Sequence, residues 1–272
     1  MVATNASQTQ ILTRDNLRIL IPSVFATAPW ASVSTAYRFV PTIEVLGVME
    51  DHCFHPVMAK QSRTRIEGKA PFTKHMIRLR HSQHLAASLH EEVPEVVLIN
   101  SHDRSSAYKL FAGIFRLICE NGLVIASKDY GSFSLRHSGS RDFRQQIIDT
   151  TGEVIGITAQ AFENVSQWKL IELTGRQQVA FATAAVELKP SSAIPPSNLL
   201  TARRPADETD GEGKRDLWRT TNVIQESLMR GGLKRTSATG RKVTTKAVKS
   251  VTGDLAINRA LWTLATEMAK PA

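Results

Sequence analysis

The hydrophobic and polar positions follow two different rhythms along the chain. The first stretch alternates short apolar runs with turn signals. Ser34–Thr42 gathers aromatic and β-branched residues and reads as a strand that ends where Thr42 can cap a helix. Residues 43–50 follow as a short helix with Ile43 and Leu46 on one face, weakened by Gly47. Strands over 56–66 and 72–80 flank the turn-forming run Glu67-Gly68-Lys69-Ala70-Pro71 and predict a hairpin. Residues 95–100 read as a buried strand and 101–105 as a polar loop. Ser106–Glu120 gives the strongest helical stripe, with Tyr108, Phe111, Phe115 and Ile118, widened by Leu110, Ile114 and Leu117. Asn121-Gly122 is its stop, and short strands follow at 123–126 and 130–136.

The second stretch reads as mostly helical. Asp142–Val165 spaces Phe143, Ile147, Val154 and Phe162 along a helix, with a weak point at Thr150-Thr151-Gly152. Thr174 caps a helix through Leu188, and Asp216 caps one to Arg230 that Gly231-Gly232 closes. Asp254 caps a last helix with Leu255, Leu261, Trp262 and Leu264. Pro190–Gly213 is a loop or linker, and 233–253 reads as a basic, Ser/Thr-rich mobile loop. The predicted class is α+β: an N-terminal mixed sheet with a basic hairpin and helices, then a mainly helical C-terminal part. The expected divisions are a variable segment 1–25, an α+β unit 26–140, and a helical unit 141–272 with its loop at 190–213.

Composition changes this picture in three respects. The 272 residues carry 34 Lys and Arg against 25 Asp and Glu, a net charge of +9, which favours a polyanionic partner. Two cysteines, Cys53 and Cys119, exclude a disulfide scaffold. No apolar run reaches the roughly 20 residues of a membrane span, and the polar start lacks a signal-type core, so a cytoplasmic protein away from membranes is expected.

The charge concentrates in two segments. The predicted hairpin holds Lys60, Arg63, Arg65, Lys69, Lys74, Arg78 and Arg80 against one acid, Glu67. Strand alternation puts Arg63 with Arg65, and Lys74 with Arg78 and Arg80, on shared faces. Like charges so placed repel unless an anion screens them, and a phosphate backbone would serve, although a solvated face accounts for the pattern equally simply. Residues 229–253 hold Arg230, Lys234, Arg235, Arg241, Lys242, Lys246 and Lys249 with no acid before Asp254. Tyr37, Phe39 and Phe72 lie near the hairpin as stacking candidates, against the simpler role of core packing. Arg104, in the loop before the predicted helix 106–120, can assist an anion at that helix's start, against the simpler role of that loop in capping the helix through Ser105 or Ser106.

Enzyme chemistry finds little support. There is no P-loop, dinucleotide glycine fingerprint, GxSxG or HExxH. All eight histidines lie before residue 140, and Asp51-His52-Cys53-Phe54-His55 with His81, His84 and His90 is the nearest approach to a zinc set, without a CxxC pair. A metal-dependent nuclease using His102 and Asp103 lacks paired carboxylates in a clear motif. No catalytic residue, metal or cofactor is assigned.

Several phrases carry a resemblance. They are Tyr37-Arg38-Phe39-Val40-Pro41-Thr42, Lys74-His75-Met76-Ile77-Arg78-Leu79-Arg80, Leu98-Ile99-Asn100-Ser101-His102-Asp103, Ser106-Ala107-Tyr108, Gly113-Ile114-Phe115-Arg116, Glu120-Asn121-Gly122-Leu123 and Arg136-His137-Ser138-Gly139. Asp216-Leu217-Trp218, Asn222-Val223-Ile224-Gln225-Glu226, Gly231-Gly232 and Asn258-Arg259-Ala260-Leu261-Trp262 continue the order. Together, over roughly 30–265, they resemble the phage/plasmid-like domain-of-unknown-function family numbered nine hundred and thirty-two. The resemblance implies carriage by plasmids, prophages or integrative elements and no established activity. With the basic segments it leads to an expected single-stranded DNA-binding protein of a mobile element, of strand-annealing type and homo-oligomeric. The expected contacts are Lys60, Arg63, Arg65, Lys74, Arg78, Arg80, Arg104, Arg230, Lys234, Arg235, Arg241 and Lys242. The alternative is an interaction protein that antagonises a host defence or repair complex.

Overall fold

The computed structural model describes residues 10–33, 39–87, 92–116, 121–124, 133–134, 143–189, 194–237 and 239–271. They form two compact units. The first runs through Val124 and takes the helix that follows as far as Ala159; the second is built mainly from Gln160 onward.

The first unit is an antiparallel sheet with helices. Helix α1 (Arg14–Leu20) starts at a Thr13–Asn16 capping box and buries Leu17; α2 spans Thr42–Asp51. Strands β1 (Phe54–Gln61), β2 (His75–His81), β3 (Glu92–Asn100), β4 (Lys109–Arg116) and β5 (Asn121–Val124) lie in sequence order. A short β6 (Phe133–Ser134) pairs with the start of β4. Register sorts the residues: Ile77, Leu98 and Leu110 align on one face, and Arg78, Val97 and Phe111 on the other. Both faces are buried along β2, β3 and β4.

That double burial explains one error of the sequence reading. Of the predicted helix 106–120, Lys109–Arg116 is strand β4, 106–108 belong to no helix or strand, and 117–120 lie outside the described residues. A strand covered on both sides is apolar at nearly every position, and such a run satisfies helical spacing as readily as strand spacing. Gly113 also fits the strand role. A Cβ there would lie 2.4 Å from the Phe115 ring, so glycine leaves that ring its place.

The second unit is helical. Helix α3 (Phe143–Leu170) begins in the first unit and ends in this one. It is unbroken at Thr150-Thr151, whose hydroxyls donate to the carbonyls of Gln146 and Ile147, both at 2.7 Å. A two-stranded ribbon of β7 (Glu172–Leu173) and β8 (Arg215–Asp216) accompanies α4 (Gly175–Val186), α5 (Pro196–Leu199) and α6 (Leu217–Arg230). Thr174 and Asp216 are the caps the sequence marked. Helix α6 is buried from Leu217 to Leu228 at every position but Arg219, which pairs with Asp216 at the helix start. Two of its buried polar residues are matched by neighbours: Arg204 bonds both oxygens of Glu226, and Gln225 donates to Asn258 at 2.6 Å. Trp168, Trp218 and Trp262 pack together, with the rings of Trp168 and Trp262 4.6 Å apart.

Residues 233–253 are not a loop throughout, as the sequence suggested. They contain a β-hairpin, β9 (Lys234–Thr236) with β10 (Lys242–Thr244), and α7 (Val251–Met268) then begins earlier than expected. Ser250, not Asp254, is its N-cap; Asp254 accepts from Asn258 one turn on. Among the described residues no helix is long and apolar enough to cross a membrane.

Candidate nucleic-acid interface

The β9–β10 hairpin is held to the end of α6 by backbone geometry that requires glycine. Gly231 closes the helix at φ 68°, and a Cβ there would lie 2.6 to 2.8 Å from backbone atoms of Thr245, Lys246 and Ala247. Gly232 N–H donates to the Thr245 carbonyl at 2.8 Å, and Thr245 N–H returns a bond to Leu233 at 2.9 Å. Lys189 Nζ donates to the carbonyls of Leu228 and Lys246, clamping helix end to hairpin exit; burial pushes its amine below the usual lysine value. Asn198 donates to the Lys234 carbonyl at 2.9 Å, fixing β9 against α5. The turn closes through Ser237 and Gly240, the latter at φ 77°.

A groove of about 610 Å³ opens along this hairpin, lined by Pro195, Asn198, Lys234, Arg235, Thr236, Lys242, Val243 and Thr244. Its lining includes three cations and no carboxylate. Register puts Lys242 beside Thr236 and Thr244 beside Lys234, so the four share a face and alternate charge with hydroxyl. Lys234, Arg241, Lys242, Lys246 and Lys249 are exposed, and none forms an ion pair within the described residues. Arg230 is differently placed: its Nε lies 3.2 Å from Glu226 on its own helix. The sequence pointed to Lys234, Arg235, Arg241 and Lys242; it gave no signal for Asn198 or Pro195, which the chain brings to the hairpin from more than 30 residues upstream.

The N-terminal basic segment divides. Arg78 and Arg80 share a face of β2, as alternation requires, but they are buried and the anion that screens them is internal. Glu95 on β3 receives Arg78 Nε at 2.5 Å and Arg80 Nη2 at 2.6 Å, and the Arg78 guanidinium stacks 3.5 Å from the Phe115 ring centroid. Their assignment as phosphate contacts is therefore corrected. Arg63 and Arg65 do not share a strand face either, because β1 ends at Gln61; both are exposed in the β1–β2 loop. Lys60 and Lys74 are half-buried near the ends of this loop. Arg104 is exposed at φ 63° in the loop after β3. Phe39 packs on His102 and Phe72 on Trp30, with ring centroids 4.7 and 5.2 Å apart, so both are engaged internally; Tyr37 lies outside the described residues.

Beneath these loops runs a buried polar chain. Ser23 Oγ donates to Gln61 Oε1 at 2.8 Å and lies 2.8 Å from His75 Nδ1. Thr42 Oγ1 is 2.9 Å from His75 Nε2 and 3.3 Å from His102 Nε2, and accepts from Asn100 at 3.0 Å. The bonds close in one direction: His75 Nδ1–H to Ser23, Thr42 O–H to His75 Nε2, and His102 Nε2–H to Thr42. Both rings are then neutral. Burial lowers His75 to about 3, aided by His102, and lowers His102 to about 4. This chain seats α2 on the sheet, with His75, His102 and Thr42 all buried. Asp103 bonds Lys69 at 3.1 Å. Among the described residues no three His, Cys, Asp or Glu side chains converge as a metal site.

The family model described as Domain of unknown function (DUF932) matches residues 29–262. The chain belongs to this family. Two Escherichia coli (strain K12) relatives are similar over 257 residues: UPF0380 protein YafZ at 37% identity and UPF0380 protein YfjQ at 36%, each match covering 93% of this chain and 90% of the relative. No solved structure matches the chain. In this DUF932 protein the matched span takes in His75, His102 and Thr42 of the buried polar chain, though not Ser23, together with the Arg–Glu cluster and the whole β9–β10 hairpin.

Proposed function

We propose that the protein binds single-stranded nucleic acid, DNA in the first instance, through the β9–β10 groove. The observation that carries this is the groove's lining: Lys234 and Lys242 alternating with Thr236 and Thr244 on one hairpin face, Arg235 also in the lining, no acid, and Arg241, Lys246 and Lys249 exposed on the same short segment. Strands of three residues extend only about 10 Å, which suits a few nucleotides of a flexible strand better than a long duplex track. Val243 and Pro195 add apolar surface that bases can meet while the cations take phosphates. Strand annealing extends this reading, with several copies assembled on one strand.

Fluorescence polarisation with labelled single-stranded DNA tests it. Contacts from about three to five of these cations give a slope of log K against log salt near −2 to −3.5. Lys234→Ala with Lys242→Ala should weaken binding at least tenfold and flatten that slope by about 1.4. Absence of binding at low salt, or binding indifferent to salt, refutes the proposal. Size measurement with and without DNA reads the assembly.

A further inference from the structure

The β1–β2 loop has features that the groove reading leaves unused. Its base is closed by Ser62 N–H to the Lys74 carbonyl at 2.8 Å and by Thr73 Oγ to the Ser62 carbonyl at 2.9 Å. Gln61 holds the Ala70 carbonyl at 2.6 Å, Phe72 packs on Trp30, and Lys69 is pinned by Asp103. A further bond, His102 N–H to the Phe72 carbonyl at 2.9 Å, ties this loop to the one bearing Arg104. The tip beyond these anchors presents Arg63, Arg65 and Ile66, with Ile66 56% exposed. Ile66 N–H bonds Thr64 Oγ at 3.1 Å and its carbonyl accepts from Lys69, so the backbone that displays this isoleucine is fixed. Arg63, Arg65 and Arg104 form no ion pair within the described residues. Against these three cations stands one exposed acid, Glu67, since Asp103 is engaged by Lys69.

Guanidinium groups beside an exposed branched aliphatic side chain, on a pre-shaped loop, match the chemistry of phosphates flanking an unstacked base. Resting on the groove reading, we propose that this loop tip is a second contact for the same nucleic-acid strand: Arg63, Arg65 and Arg104 take phosphates, and Ile66 wedges against a base. Two such contacts on one chain make the second binding event intramolecular, so affinity rises with strand length beyond the statistical number of registers.

Oligothymidylates of about 10 and about 40 nucleotides, titrated by polarisation, provide the test. The wild-type protein should gain at least tenfold in affinity from the short strand to the long one. Replacing Arg63, Arg65 and Arg104 together by Ala should remove that gain. Ile66→Ser should reduce it several-fold with the salt slope unchanged, because no charge is lost. Circular dichroism verifies that these exposed-loop variants fold. Retention of the full length gain by both loop variants, while Lys234→Ala with Lys242→Ala loses binding, overturns this proposal and leaves the groove reading intact. A wild-type protein that binds DNA without a length gain overturns it as well. Failure of the wild type to bind either strand removes both readings.

Discussion

Acidification should unfold the sheet unit through the two buried histidines. Ordinary imidazole titrates near 6.5, while His75 and His102 are held to about 3 and about 4. Below pH 6.5 the unfolded chain therefore binds protons that the folded chain refuses, and stability falls with pH until the folded values are reached. At about pH 5 each group costs about 2 kcal/mol relative to neutral pH, or about 4 kcal/mol together if they act independently. That is a large part of the roughly 5–15 kcal/mol that holds an ordinary domain folded. Asp103 does not confuse the window: its carboxyl is held below 3.8, so its own loss lies at lower pH. Hydrogen exchange read peptide by peptide separates the units. Amides of β2, β3 and β4 should lose protection steeply between about pH 6.5 and 5, after correction for intrinsic rates, while amides of α6 hold theirs. A His75→Gln, His102→Gln variant, less stable at neutral pH, should show a much shallower slope. A flat profile in the wild type, or an equal slope in the variant, refutes the assignment of neutral buried rings.

Other substitutions test the packing. Gly231→Ala places a Cβ within 2.8 Å of backbone at the hairpin junction and forces a left-handed φ on alanine; it should cost about 2–4 kcal/mol and lower the denaturation midpoint of the helical unit. Glu95→Ala strips the carboxylate from between two buried guanidinium groups and should destabilise the sheet unit by about 3–5 kcal/mol in urea titration, whereas Lys234→Ala should leave that midpoint unchanged.

The parts of the fold that were legible are those set by local chemistry. Thr174 and Asp216 act as caps because a side-chain oxygen can reach the third amide of the helix only from that position, and Gly231 ends α6 because the backbone turns through positive φ. The β1–β2 pairing was visible in its strands, though β1 stops at Gln61 and the connection is longer than the predicted turn. What failed depended on distant residues. Nothing near Leu110–Phe115 reveals that both faces will be covered, so helical spacing won the reading until register with β3 decided it. Likewise Ser250 displaced Asp254 as the cap of α7 because either can serve locally.

The same distance dependence governs the charge. A basic residue in a strand is ambiguous in sequence, because the neighbour that neutralises it lies on another strand. Glu95 is 15 residues from Arg80, and only the β2–β3 pairing brings them together. The net charge of +9 thus overstates what is available at each predicted contact: Arg78 and Arg80 belong to the core, and Arg230 leans on Glu226. Arg63, Arg65 and Arg104 remain exposed in the sheet unit, and Lys234, Arg241 and Lys242 in the helical unit. If polyanion affinity came from overall charge alone, removing any three cations would weaken it alike. If it comes from these surfaces, Arg63, Arg65 and Arg104 should matter far more than Arg176, Arg259 and Lys270 replaced together, and a side-by-side salt titration of the two triple variants decides between them.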